Sequence, residues 1–135
     1  MDLKTSLAVS ASGLRAQSLR MRVIAENLAN QDSVARTAGG DPYRRRVVSF
    51  QAEVDRASGG TAVKVSGIES DKTAFTKVYQ PGSPAADAQG YVLKPNVNPL
   101  LEAADMKDAQ RSYEADLNAI EAAKNLTMRT IDLLK

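Results

Sequence analysis

LKTSLAVSASGLRAQSLRMRVIAENLAN, residues 3–30, is a helix written at heptad spacing. Leu7, Leu14, Met21 and Leu28 recur every seven residues, and Leu3, Ser10, Gln17 and Ile24 interleave with them. Together they form a seam of alternating three- and four-residue steps in which six of eight members are apolar. Ala8, Ser10, Ala11, Ser12 and Ala16 line the neighbouring faces, where small side chains let another helix approach closely. Gly13 costs about 1 kcal/mol of helix propensity against Ala, so it marks a close contact or a bend. Arg22 and Glu26 stand four apart and are able to pair on the solvent side. The helix is expected to end near Ala29-Asn30.

The other end of the chain carries a second helix, expected over 98–135. Asn98 is a good N-cap, and Pro99 suits the first helical position. Met106, Tyr113, Leu117, Ile120, Ile131 and Leu134 fall on one stripe; Ala103 fits it, while Gln110, Lys124 and Thr127 interrupt it. The chain closes on Leu133-Leu134-Lys135, and a tail this apolar is not expected to stay in water.

Between the helices, residues 31–42 are polar and contain Gly39-Gly40, which reads as a loop. Residues 43–97 read as a β-rich insert. Val48, Phe50, Ala52 and Val54 alternate with polar residues, Ser58-Gly59-Gly60 is a turn, and Val63 and Val65 alternate again. Phe75 to Tyr79 and Gly90 to Lys94 supply two further extended segments, separated by Pro81-Gly82-Ser83-Pro84. The expected plan is therefore α+β. An N-terminal helix (1–30) and a C-terminal helix (98–135) pair as an antiparallel coiled coil around the loop and insert. One small insert cannot cover two long helices, so apolar surface is left for other chains.

Composition removes several classes of function. With no Cys and no His among 135 residues, disulfides, Cys-ligated zinc and His-dependent nucleophile systems are excluded. Asp41, Asp87, Asp105 and Asp108 are not paired at catalytic or metal-binding spacing. No cofactor is expected. The net charge of +2 is too small to argue for nucleic acid. Residues 1–50 hold eight Lys/Arg against four Asp/Glu, and residues 51–135 hold ten against twelve, so the front is basic and the back mildly acidic. The start, Met1-Asp2-Leu3-Lys4-Thr5-Ser6, has no cleavable-signal pattern, and no window is apolar enough to span a bilayer.

The run from Ser12 to Asn30, closing on Asn27-Leu28-Ala29-Asn30, resembles the N-terminal motif of the bacterial flagellar axial family of rod, hook and hook-associated proteins. Four further segments resemble its small proximal-rod members in their order: Pro42 to Phe50, Val78 to Asp87, Pro95-Asn96-Val97-Asn98, and Ala109 to Leu117. The overall length resembles theirs too. Ala103 and Lys107 stand where that family usually has Met, and Asp116 where Asn is usual.

The resemblance implies a structural subunit of the proximal rod, part of the drive shaft between the basal rings and the distal rod and hook. It implies export by the flagellar type III apparatus without a cleaved signal, and assembly in the periplasm. The implied partners are copies of the chain, other proximal and distal rod subunits, the export apparatus, and an adaptor between the MS ring and the rod. Terminal segments disordered in the monomer would fold on assembly, which fits the marginal stability of isolated helices in water.

On this reading Leu3, Leu7, Leu14, Met21, Ile24 and Leu28 on the first helix form an assembly interface. Met106, Tyr113, Leu117, Ile120, Ile131 and Leu134 on the second complete it. Asn27 and Asn30 could equally cap the first helix, since Asn tolerates left-handed geometry. Arg44-Arg45-Arg46 lacks the interleaved aromatics of a nucleic-acid site and reads as the start of a strand, with one Arg turned inward. The competing functions are a stand-alone helical adaptor and a small enzyme resting on carboxylates and Lys.

Overall fold

Asp2 sets the start of the first helix. In the computed structural model, which describes residues 2–135, the Thr5 amide donates to Asp2 Oδ1 at 2.7 Å. That backbone hydrogen bond, with one from the Thr5 hydroxyl, holds the Asp2 carboxyl below its ordinary range. Met1, at the head of the expected 1–30 segment, lies outside the described residues.

Helix α1 runs Leu3–Ala29, followed by strands β1 (Arg46–Val54), β2 (Thr61–Ser70), β3 (Thr76–Tyr79) and β4 (Tyr91–Lys94), and helix α2 (Pro99–Leu133). Asn98 Oδ1 accepts from the Leu100 and Leu101 amides, satisfying two of the donors that open α2. The architecture is the expected α+β: two long packed helices with a small β insert between them. Asn27 on α1 meets Glu102 on α2, and Gly13 faces Asp116. Advancing along α1 therefore retreats along α2, and the pair is antiparallel.

The strands form two separate two-stranded sheets, β1–β2 and β3–β4. Six residues join β1 to β2, too few for a crossover, so that pair is an antiparallel hairpin. The β3–β4 pair is antiparallel, with Val78 opposite Val92 and Tyr79 opposite Tyr91.

The chain folds as two compact units. One comprises residues 2–21, 48–67 and 107–135. Its interior is made of small side chains: Thr5, Ser10, Ser12, Ala16 and Ala123 are buried. Ser12 fixes α1 to the hairpin, accepting from the Val63 amide at 3.0 Å while donating to the Val9 carbonyl at 2.6 Å. Gly60 lies against Thr5 and Val9 with no room for a Cβ. The hairpin turn is closed by the Asp55 amide donating to the Gly60 carbonyl at 2.8 Å. The Ser58 hydroxyl and Ala57 amide both donate to the Asp55 carboxylate.

The other unit comprises residues 22–47 and 68–106. Val23, Ile24, Ala85 and Val92 are its buried apolar residues, joined by the buried side chains of Asn27 and Glu102. At the β3–β4 turn, Gly90 takes φ +87 beside Tyr79 and Pro81, and Tyr79 packs edge-on to Tyr91 with centroids 5.4 Å apart.

Candidate functional site

Asn27 is not the helix cap that its place near the end of α1 would allow. It is 1% exposed, and all four hydrogen-bonding positions of its amide are filled. Nδ2 donates to the Arg46 carbonyl at 2.8 Å, and Oδ1 accepts from the Arg46 amide at 3.0 Å. The side chain thus pairs with the start of β1 as a neighbouring strand would. Oδ1 also accepts from the Tyr43 hydroxyl at 2.7 Å, and Nδ2 donates to Glu102 Oε2 at 3.3 Å. Burial pushes the Tyr43 phenol above its ordinary range. Capping falls to Asn30, whose Nδ2 donates to the Glu26 carbonyl at 2.8 Å and whose Oδ1 accepts from the Ser33 hydroxyl. Among the described residues only glycines have positive φ, so Asn30 does this without left-handed backbone.

Glu102 is fully buried one turn into α2. A buried carboxylate is costly unless paired and hydrogen-bonded. Arg45 Nε donates to Glu102 Oε1, Arg45 Nη1 reaches Asp71 Oδ2 at 3.2 Å, and Nη2 reaches Asp105 Oδ2 at 3.5 Å. Burial alone would lower the Arg45 pKa; the hydrogen bond and charge of Glu102, then those of Asp71, outweigh it and raise the pKa. The Thr73 amide is the largest influence holding Asp71 low, with Arg45 adding to it. Of the three consecutive arginines, Arg45 is the one turned inward. Arg44 lies 4.1 Å over the Phe75 ring and donates to the Asp71 carbonyl, while Arg46 pairs with Glu26 at 3.2 Å. Asn27, Arg45 and Glu102 therefore clamp the end of α1, the start of α2 and the start of β1.

On α2, a row at alternating three- and four-residue steps is buried or half-buried: Glu102, Met106, Ala109, Tyr113, Asp116, Ile120 and Ala123. Its second member set, Glu102, Ala109, Asp116 and Ala123, has a carboxylate at alternate positions, so hydrophobic periodicity passes over it. Asp116 faces Gly13, where a Cβ would collide with the carboxylate. Burial raises the Asp116 pKa.

The apolar residues read from the sequence take different places. Ile24 is buried, Leu7, Leu14, Met21 and Leu28 are half-buried, and Leu3 is exposed. At about 100° per residue, the half-buried row borders the buried face of α1, next to buried Ser10 and Ile24 and away from Thr5, Ser12, Ala16 and Val23. Ala29 is exposed. On α2, Met106, Tyr113 and Ile120 are half-buried, whereas Leu117, Ile131 and Leu134 are exposed.

Leu100, Leu101, Leu126 and Met128, which the apolar stripe read from the sequence leaves out, are exposed, as is Leu133 of the apolar tail. The seven-residue step from Leu126 to Leu133 was the available signal. Every residue from Lys124 to Lys135 is exposed; Leu133 and Leu134 reach 87% and 82%. Helix α2 has 35 residues against 27 in α1, a difference of roughly 12 Å at 1.5 Å per residue. Among the described residues, no His/Cys/Asp/Glu group is arranged to hold a metal ion, and no helix is long and apolar enough to cross a membrane.

Comparison with known proteins gives a consistent result. A family model described as "Flagellar basal body rod FlgEFG protein C-terminal" matches residues 88–133. The chain is 47% identical over 133 residues to the flagellar basal-body rod protein FlgC of Agrobacterium fabrum, covering 98% of this chain and 96% of that one. It is 43% identical to the FlgC of Bacillus subtilis, covering 96% of this chain and 97% of that one. Against the FlgC of Salmonella typhimurium it is 38% identical, covering 98% of each.

Proposed function

We propose, from the premise that this chain belongs to the FlgC family of flagellar basal-body rod proteins, that it polymerises through the outward faces of its two terminal helices. The chain is a structural subunit of the proximal rod and belongs to the flagellar basal body. Our reading adds that it acts without catalysis, as part of the shaft joining the basal rings to the distal rod and hook. It leaves the cytoplasm by the flagellar type III apparatus with its N-terminus uncleaved and assembles in the periplasm. Its partners are copies of itself, neighbouring rod subunits, the export apparatus and the adaptor at the MS ring.

The observation that carries this reading is the apolar surface the helices leave uncovered. The half-buried row Leu7, Leu14, Met21 and Leu28, with exposed Leu3, stands on α1 outside its small inward-packing residues. On α2, Leu117, Ile131 and Leu134 are exposed, and Met106, Tyr113 and Ile120 are half-covered. Fully burying a large aliphatic side chain is worth about 1.5–3 kcal/mol, so seating several of them against neighbours supplies a large driving force. The same surface leaves the isolated ends marginal, which fits helices that order fully on assembly.

The test is complementation of a deletion strain with Leu14→Asp or Leu28→Asp. Each variant is expected to accumulate in the cell and yet support no rod. An assembled rod of normal length carrying either substitution overturns the mechanism.

A further inference from the structure

We propose that the basic row of α1 docks antiparallel on the acidic row of α2 in a second copy of this chain, one heptad out of step with the pairing inside the chain. The proposal rests on the rod-subunit reading and adds the partner and register of one contact.

Lys4, Arg15 and Arg22 are exposed, and are separated by eleven and then seven residues. Glu114, Glu121 and Asp132 are exposed, and are separated by seven and then eleven. At about 100° per residue, steps of seven and eleven each return to within about 20° of the same side of a helix, so each trio is a straight stripe. The two spacings are mirror images, as antiparallel partners require. One alignment sets Arg22 against Glu114, Arg15 against Glu121 and Lys4 against Asp132 simultaneously.

These charges lack strong partners of their own. Lys4, Arg15, Arg22, Glu114 and Glu121 form no ion pair among the described residues. Glu26, a helical turn from Arg22, is taken by Arg46 instead. Asp132 meets only Lys135 at 3.5 Å, with both side chains mostly exposed, an exchangeable contact.

The surroundings fit close approach. The same alignment sets Met128 against Ala8, Asn125 against Ala11 and Asn118 against Ser18, large or polar side chains over small ones. Beside the charge row, Arg111 faces the exposed Ala25.

The contact cannot be made within one chain. Inside the chain Asn27 meets Glu102 and Gly13 meets Asp116, so facing positions total 129. The charge rows require a total of 136, a slide of seven residues. A contact between two different faces, staggered in this way, propagates from copy to copy.

The experiment is a charge exchange in the full-length chain, expressed in a strain lacking its own copy. Arg15→Glu with Arg22→Glu is expected to abolish swimming and rod assembly, because like charges then face each other across copies. Adding Glu114→Arg with Glu121→Arg is expected to restore both. Because the chain has no Cys, Arg15→Cys with Glu121→Cys is expected to form disulfide-linked multimers in basal bodies. Arg15→Cys with Glu114→Cys, one heptad out of register, is expected to form none.

A normal rod from the first double variant overturns the register. So does failure of the quadruple variant to restore assembly, which would place the partner of α1 on another protein. Neither result touches the rod-subunit reading, which deletion of the gene tests separately, or the role of the leucine row, which Leu14→Asp and Leu28→Asp test.

Discussion

Replacing Arg45 with Ala should destabilise the unit that holds it by about 3 kcal/mol. The side chain of Glu102 is fully buried and has two partners, Arg45 and Asn27. Removing one member of a buried ion pair typically costs about 3–5 kcal/mol, because the remaining charge is stranded. The lower figure applies here, since the Arg45 side chain is 23% exposed and the remaining amide of Asn27 still donates to Glu102. A change of that size lowers the folded-to-unfolded ratio by roughly 150-fold, at about 1.4 kcal/mol per factor of ten. With a urea slope of about 1.5 kcal/mol/M, the midpoint falls by about 2 M.

Tyrosine fluorescence is a suitable probe. Tyr43, Tyr79 and Tyr91 all lie in this unit, and the chain has no Trp. The decisive comparison adds Glu102→Gln, which removes the stranded charge and keeps an oxygen for Asn27. Arg45→Ala with Glu102→Gln should then cost about 1–1.5 kcal/mol, the scale of lost hydrogen bonds alone. The clamp is refuted if Arg45→Ala shifts the midpoint by less than a third of the expected amount. It is equally refuted if the double variant is no more stable than Arg45→Ala.

Asn27→Ala strands the Arg46 amide and carbonyl and the Tyr43 hydroxyl, and should cost about 2–4 kcal/mol in the same urea titration. Gly90→Ala forces a Cβ toward Tyr79 and Pro81 at φ +87 and should cost about 1–2 kcal/mol, read as a lowered melting temperature. Asp116→Asn tests a pH dependence. Burial raises the folded-state pKa of Asp116, so its ionised form opposes folding at pH values above that pKa. The penalty fades as pH falls through the folded pKa and is gone below the ordinary carboxylate value of 3.8. Asp116→Asn should therefore be more stable than the original chain near neutral pH, and urea titrations of the two should converge on acidification.

The α+β plan was legible because both helices announce themselves twice, by heptad-spaced apolar residues and by caps such as Asn98-Pro99. Which face of each helix turns inward was not. On α1 the inward face is small and partly polar, with Thr5, Ser12 and Ala16, while the conspicuous leucines lie elsewhere. Periodicity finds the large apolar row and cannot say whether its partner lies within the chain or outside it.

On α2 the inward row includes Glu102 and Asp116, and a hydrophobic pattern has no means of counting a carboxylate as interior. Glu102 becomes interior only because Arg45, 57 residues away in sequence, meets it. The same holds for Asn27, whose helix-end position suits capping, but whose partners on Tyr43 and Arg46 arrive with the fold. The inward turn of one arginine among three was readable from strand alternation. The partner it finds was not.

The most direct test of rod membership is to delete the gene for this chain in its host and image purified hook–basal bodies by electron microscopy. The account predicts basal rings without rod or hook, and full restoration by the intact gene. Complete flagella in the deletion strain would contradict it.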